Sequence, residues 1–180
     1  MRGYTPLTFL RLSTRLQTLH LTHDPFEIAR AAYEELSRPV GVDLFFNYLV
    51  VKPGTDLWLA SFDGVPYQAG KEIRTLKFNE AVCGTVAATG RAMNIGYSDP
   101  ADPKASLVRA FGAKAYCCTP ILNGSRLMGT LSFGSTTREA FNTSEATLMK
   151  LAAQQIALGL SKRFRSLYEG VPLPVQQRAS

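Results

Sequence analysis

By type, two histidines and three cysteines are this 180-residue chain's first candidates for nucleophilic, proton-transfer or metal chemistry: His20, His23, Cys83, Cys117 and Cys118. Both histidines precede residue 24. No imidazole is therefore left to build a Ser-His-Asp or Cys-His arrangement inside a pocket. His20-x-x-His23 has the spacing of one helix turn, but no cysteine stands near it to complete a ligand set, and the pair reads as two solvated polar groups. The cysteines form no C-x-x-C, which excludes a zinc ribbon and a thioredoxin motif. Their odd number, with Cys117 and Cys118 adjacent, argues against a secreted disulfide framework and for a reducing compartment. Cys83 reads as a small buried helix residue. No P-loop, G-x-G-x-x-G or EF-hand spacing is present. The residues predict no catalytic group and no metal site.

Apolar residues make up 46% and charged residues 19%, a composition that supports one domain with a proper core. The net charge of +6 comes from basic side chains scattered singly, with only Lys162, Arg163 and Arg165 clustered, so no direct nucleic-acid role is expected. Apolar stretches such as Val40–Val51 fall short of the roughly 18 residues of a membrane span. Arg11 and Arg15 interrupt what would be the apolar part of a signal peptide. A soluble, cytoplasmic protein is expected.

These side chains must be held by elements, and the pattern predicts them in order. Phe9, Leu12, Leu16 and Leu19 form one helical stripe. Asp24 and Pro25 open a second helix carrying Phe26, Ala29, Ala32, Tyr33 and Leu36, ending before Pro39. Strands are expected over 41–51 and 57–62 about a Pro53-Gly54 turn, then over 73–78. Asn79 caps a helix through Thr89, stopped by Gly90; a strand over 92–97, a proline-containing loop and a short helix over 104–111 follow. Asn123-Gly124 signals a two-residue hairpin turn, pairing Leu122 with Ser125 and Cys118 with Gly129. In that register Tyr116, Cys118, Pro120, Leu127, Leu131 and Phe133 share one face, while Cys117, Ile121, Met128, Thr130 and Ser132 share the other. Asn142 caps the last helix with Glu145 as its capping-box partner. That helix is apolar over a wide arc, as though it packs on its own core and on a partner helix. Hairpins at both ends of the chain require antiparallel pairing and an α+β class.

Three segments in this order resemble the GAF domain family, the sensory module of bacterial signalling proteins such as sensor histidine kinases. They are Phe78-Asn79-Glu80-Ala81-Val82-Cys83-Gly84-Thr85-Val86-Ala87 with Thr89-Gly90-Arg91; Cys118-Thr119-Pro120-Ile121-Leu122 into Leu127-Met128-Gly129-Thr130-Leu131-Ser132-Phe133; and Phe141 with Glu145, Leu148, Leu151, Ala152 and Gln155. The resemblance implies a central antiparallel sheet of five to six strands, with terminal helices on one face and a ligand pocket on the other, in the 180 residues present. It divides the chain into an N-terminal dimerisation helix over 1–24, a GAF-like domain over 25–166 and a flexible tail or linker over 167–180. Relatives of this kind are usually homodimers, which places the interface on residues 7–20 and 143–166.

Set against specialised relatives, the residues narrow the options. Haem-binding relatives need an axial ligand, and the pocket region has no histidine. Bilin-binding relatives attach their chromophore to a cysteine beside a histidine, and Cys117 and Cys118 have none. Of the signature that cyclic-nucleotide binders carry, only Phe141 and Glu145 match, and Ala146 replaces the second acid. Free methionine sulfoxide reductases share Val82-Cys83-Gly84, but Ile73 and Leu107 stand where their other cysteines fall. The expectation is a sensory or regulatory domain without catalysis or cofactor, taking an unidentified small molecule. Its expected lining is Phe46, Tyr48, Trp58, Phe78, Tyr97, Leu107, Phe111, Tyr116 and Cys118. Arg91, Lys104 or Arg109 could anchor an anion at the rim. A sulfoxide-reductase-like enzyme and a ligand-free dimerisation module are the alternatives.

Overall fold

The computed structural model describes residues 5–52, 54–97 and 103–168, omitting the side chains of 52 and 164–168. Most of the proline-containing loop after Tyr97 and of the tail expected over 167–180 lies outside them. Along the chain run α1 (Pro6–Gln17), the single turn α2 (Leu19–Thr22), α3 (Ile28–Val40), β1 (Leu44–Lys52), β2 (Asp56–Asp63), α4 (Tyr67–Glu72), β3 (Thr75–Lys77) and α5 (Ala81–Thr89). Then come β4 (Met93–Ile95), a 3-10 turn (Pro103–Ala105) leading into α6 (Ser106–Ala110), β5 (Ala115–Asn123), β6 (Arg126–Ser135) and α7 (Thr143–Tyr168). All six strands pair antiparallel in the order β3-β2-β1-β6-β5-β4, an α+β architecture as expected.

Side chains alternate across this sheet and build two cores. Phe45, Cys117, Ile121, Leu131 and Phe133 face one way, against Leu12, Leu16, Ile28, Ala32 and Leu36 and the α7 residues Leu148, Met149, Ala152, Ile156 and Leu160. Phe46, Tyr48, Leu57, Leu59, Tyr116 and Cys118 face the other way, against Val82, Cys83, Val86, Val108 and Ile95. As expected, the adjacent cysteines point to opposite faces.

The termini of α7 and α3 follow local chemistry. Glu145 N–H donates to Asn142 Oδ1 at 3.0 Å while Asn142 N–H donates back to Glu145 Oε2 at 2.8 Å, closing the capping box. Helix α3 starts later than expected, at Ile28, because Asp24 Oδ1 accepts from Phe26 N–H two residues on and holds a turn there. It runs through Pro39 to Val40, at the loss of the usual i→i−4 donor to the Glu35 carbonyl, and it ends on Gly41 at φ 77°.

Three expectations need correction. Helix α5 is not capped by Asn79; Asn79 is left-handed at φ 67°, and Glu80 is the flanking residue. Helix α4 occupies a stretch that carries no clear pattern. The hairpin turn is Gly124-Ser125, not Asn123-Gly124: Asn123 pairs with Arg126, and Gly124 alone takes positive φ, 60°. That is the type II′ preference for glycine at the first central position. A bulge between Ile121 and Leu122 then shifts the ladder again, so Cys118 faces Ser132 and Pro120 faces Thr130. Leu131 and Phe133 consequently join the helical core, and the hydroxyls of Thr130 and Ser132 turn to the other face.

The wide apolar arc of α7 is largely used within the chain, because α1, α2 and α3 cover what β5 and β6 leave open. Leu16 is 0% exposed. Among the described residues, the helical leucines left outside are Leu7, Leu10 and Leu21 on the first two helices and Leu158 on α7. His20 Nδ1 is hydrogen-bonded to Gln155 Oε1, tying α2 to α7.

Candidate functional site

Helix α5 lies over β5 and β6 on the face away from α7. Its first turns present Ala81, Val82 and Cys83 to a cavity floored by Phe46, Tyr48 and Tyr116. Ile73 and Leu76 close one side; Leu107, Val108 and Phe111 of the α6 segment close the other. Phe46 is the centre of the floor, its ring 5.9 Å from Phe111 and 6.4 Å from Tyr116 between centroids. The space that remains is about 10 Å³. That is room for about one water, against the roughly 300 Å³ and more of organic-ligand pockets. A larger molecule needs the wall to move, and Leu107, Val108 and Phe111 of the α6 segment form part of that wall.

The walls are apolar but the floor carries a small polar group of side chains. Tyr48 Oη donates to the Ile73 carbonyl at 2.8 Å. Cys83 Sγ is hydrogen-bonded to Ser132 Oγ at 3.2 Å and to Tyr116 Oη at 3.4 Å. Thr130 Oγ1 is buried with no partner at hydrogen-bonding distance, although it faces the same sulfur closely enough to favour its thiolate. Hydrogen bonding from Cys118, then Ser132 and Tyr116, with the nearby Thr130 hydroxyl the smallest contribution, brings the Cys83 pKa down to about 7 against burial, which raises it. Burial, and then the bond it gives Cys83, push Cys118 well up. Burial raises both Tyr48 and Tyr116, so both phenols stay protonated. Cys83 is thus the group in the cluster that ionises first. Ala81, at the cavity wall, holds φ 50°, an unusual backbone conformation for a residue with a Cβ.

Of the nine expected lining residues, Phe46, Tyr48, Leu107, Phe111 and Tyr116 line the cavity together, and Cys118 lies beneath Cys83 in the same core. The other three are placed elsewhere. Trp58 alternates to the outer side of β2, 41% exposed, with the Arg74 guanidinium 5.1 Å over its ring. Tyr97 is 62% exposed, in a shallow depression with Arg109 and Lys114. Phe78 packs at the rim of a separate groove with Phe26, Val50, Leu127 and Leu160. Ile73, Leu76, Ala81, Val82, Cys83 and Val108 also line it, and Ser132 and Thr130 act on Cys83 from β6; none was among the nine expected residues. The lining residues on β3, α5 and α6 lie on elements the pattern predicts but whose inward side it does not assign, and Thr130 and Ser132 face Cys83 because of the β5–β6 bulge. Among the described residues, no group of three or more histidines, cysteines and acids is placed to hold a metal ion.

Known proteins place this arrangement in a family. The family model described as "GAF domain" matches residues 24–160. No curated protein matches the chain. Among solved structures, the free methionine-R-sulfoxide reductase of Neisseria meningitidis, in complex with its substrate, is 19% identical with a TM-score of 0.73, covering 92% of this chain and 96% of that one. The GAF domain of a phosphoenolpyruvate-protein phosphotransferase from Coxiella burnetii is 15% identical with a TM-score of 0.76, covering 91% and 99%. The reduced form of the Staphylococcus aureus protein fRMsr is 16% identical with a TM-score of 0.68, covering 89% and 99%. At these identities the likeness is one of fold, and with the family match over most of its length this chain belongs to the GAF domain family.

Proposed function

We propose that this chain is a sensory or regulatory domain of a bacterial signalling protein, of the two-component sensor histidine kinase type or a related one. A small molecule is taken up beneath α5 and α6, and the terminal helices pass its presence on. The observation that carries this reading is the shared strand β5. Tyr116 and Cys118 point into the cavity side, while Ala115, Cys117 and Ile121 of the same strand lie under α7. A shift of β5 on one face therefore repacks the other. A ligand that binds only the opened α6 position selects that arrangement of α7. Aromatic walls with two protonated phenols favour a flat, mostly apolar molecule. The domain works as a homodimer through its outer helical face, where Leu7, Leu10, Leu21 and Leu158 are exposed.

A panel of small aromatic and heteroaromatic metabolites, screened by thermal shift, tests the site. At least one compound is expected to raise the melting temperature of the protein and to lose that effect in Ala81→Phe, which fills the cavity. A panel without such a compound, or one whose hits act equally on the filled variant, counts against it.

The rival reading, a free methionine sulfoxide reductase, is favoured by the fold likeness above and by Cys83 at the cavity wall. Ile73 and Leu107, where the family resemblance places the other cysteines, line that same cavity with hydrocarbon. Thiol exchange through those positions has no sulfur to use. Incubation with free methionine-R-sulfoxide and dithiothreitol is expected to give no methionine. Turnover abolished by Cys83→Ser would make the reductase reading the right one.

A further inference from the structure

We propose that Cys83 and Cys118 are a buried redox pair: peroxide oxidises Cys83, and Cys118 closes the product to an intramolecular disulfide that fastens α5 to β5. The placement is specific. Cys118 lies opposite Ser132 in the β5–β6 ladder, and the Ser132 hydroxyl is 3.2 Å from Cys83 Sγ. Cys83 and Cys118 lie in the same buried cluster, and each shifts the other's titration. Cys117, the remaining thiol, is on the far side of the sheet beneath α7 and cannot compete. The pair lies 35 residues apart in the numbering of the chain, on a helix and on a strand that have no covalent link nearby.

Buried thiols are ordinarily inert, and two features set Cys83 apart. It lines the small cavity, whose volume of about 10 Å³ suits a water-sized molecule and so little more than hydrogen peroxide. Its donors Ser132, Tyr116 and Cys118 favour the thiolate, which is the reacting form. Access is through local opening of the α6 side, so the reaction is slower than at a free thiolate. The Cys83 thiolate attacks one peroxide oxygen; the O–O bond breaks, hydroxide leaves and takes up a proton, and Cys83 becomes a sulfenic acid. The Cys118 sulfur then attacks Cys83 Sγ; the S–S bond forms, the S–OH bond breaks, and the departing hydroxide leaves as water with the Cys118 proton. Two thiols lose two electrons and two protons, and one peroxide becomes two waters. The bond would hold α5 down over the cavity. The proposal does not depend on the cavity taking a ligand.

The test is on the full chain, reduced, freed of reductant and exposed to hydrogen peroxide while folded. It is then quenched, unfolded, alkylated and mapped by peptide mass. The expected result is loss of two hydrogens from the intact mass, a Cys83–Cys118 cross-linked peptide, and alkylation at Cys117 alone, all reversed by dithiothreitol. In Cys118→Ser the sulfenic acid at Cys83 is expected to persist and to be trapped by dimedone. Alkylation of all three cysteines would overturn the proposal. So would a sulfinic acid at Cys83 beside a free Cys118, or a bridge that uses Cys117.

Discussion

Cys83 titrates in a direction that can be followed. In the fold its pKa is brought down to about 7, from 9.0 for an unperturbed thiol, with the Cys118 hydrogen bond the largest cause. Between these values the unfolded chain binds the extra proton, so this group's contribution to stability grows as pH rises from about 7 to 9 and is lost as pH falls through 7. Cys117 runs opposite. Burial pushes it up to about 11, so its contribution is complete below pH 9 and is lost as pH approaches 11. Melting temperatures of the protein and of Cys83→Ser are thus expected to diverge between pH 7 and 9, with the wild type gaining. Gly84, one residue on, is constrained by space and not by charge. A Cβ there would stand 2.2 Å from the Lys77 carbonyl oxygen, and that backbone cannot yield as a side-chain tip can. Gly84→Ala is expected to cost about 1–3 kcal/mol in urea unfolding. The sequence shows Cys83 as a buried helix residue and no more. Its partners come from strands more than thirty residues away, and no local signal announces them.

Among the elements, α7 is anchored where the sequence says it should be. The two capping-box bonds join Asn142 and Glu145. The structure adds Arg138, whose Nη2 donates to both Glu145 carboxylate oxygens at 3.0 and 3.1 Å while Nη1 donates to the Val40 carbonyl at 2.8 Å. One guanidinium therefore ties the end of α3 to the start of α7. Glu145→Ala keeps the Asn142 side-chain cap but removes the reciprocal bond to Asn142 N–H and leaves a half-buried cation, at an expected cost of about 2–4 kcal/mol. Glu145→Gln keeps an acceptor for Asn142 and is expected to lose less than half of that, as denaturant midpoints would show. The capping box was legible because both partners sit within one turn. The β5–β6 register was not, because Asn123-Gly124 and Gly124-Ser125 are both acceptable hairpin turns and only packing over the whole sheet chooses. The consequence at the site comes from the bulge between Ile121 and Leu122, which decides whether Ser132 faces α7 or Cys83.

For the whole molecule, periodicity located the apolar stripe of the first helix but could not say what covers it. Leu16 is enclosed by α3 and α7 of its own chain. Leu16→Asp buries a charge and is expected to unfold the monomer. Leu158, 46% exposed, and Leu10, 60% exposed, are the positions that report on association. Leu10→Asp combined with Leu158→Asp is expected to halve the sedimenting mass while keeping the melting temperature within a few degrees. No change in mass would remove the outer helical face as an interface. The family's overall plan was legible because three separated segments carried it in order. The lining of the cavity was legible on β1, α6 and β5, where alternation or helix spacing fixes direction. It was not legible for Trp58, Phe78 and Tyr97, which are aromatic for reasons of edge and rim packing. The face beneath α5 and α6 is the one proposed to hold a small molecule. Binding there is tested most directly by native mass spectrometry of the protein purified from its own cells, beside the Ala81→Phe variant prepared in the same way. A non-covalent adduct with aromatic absorbance is expected on the protein and none on the variant. An empty chain in both, or an adduct that survives the filled cavity, would contradict it.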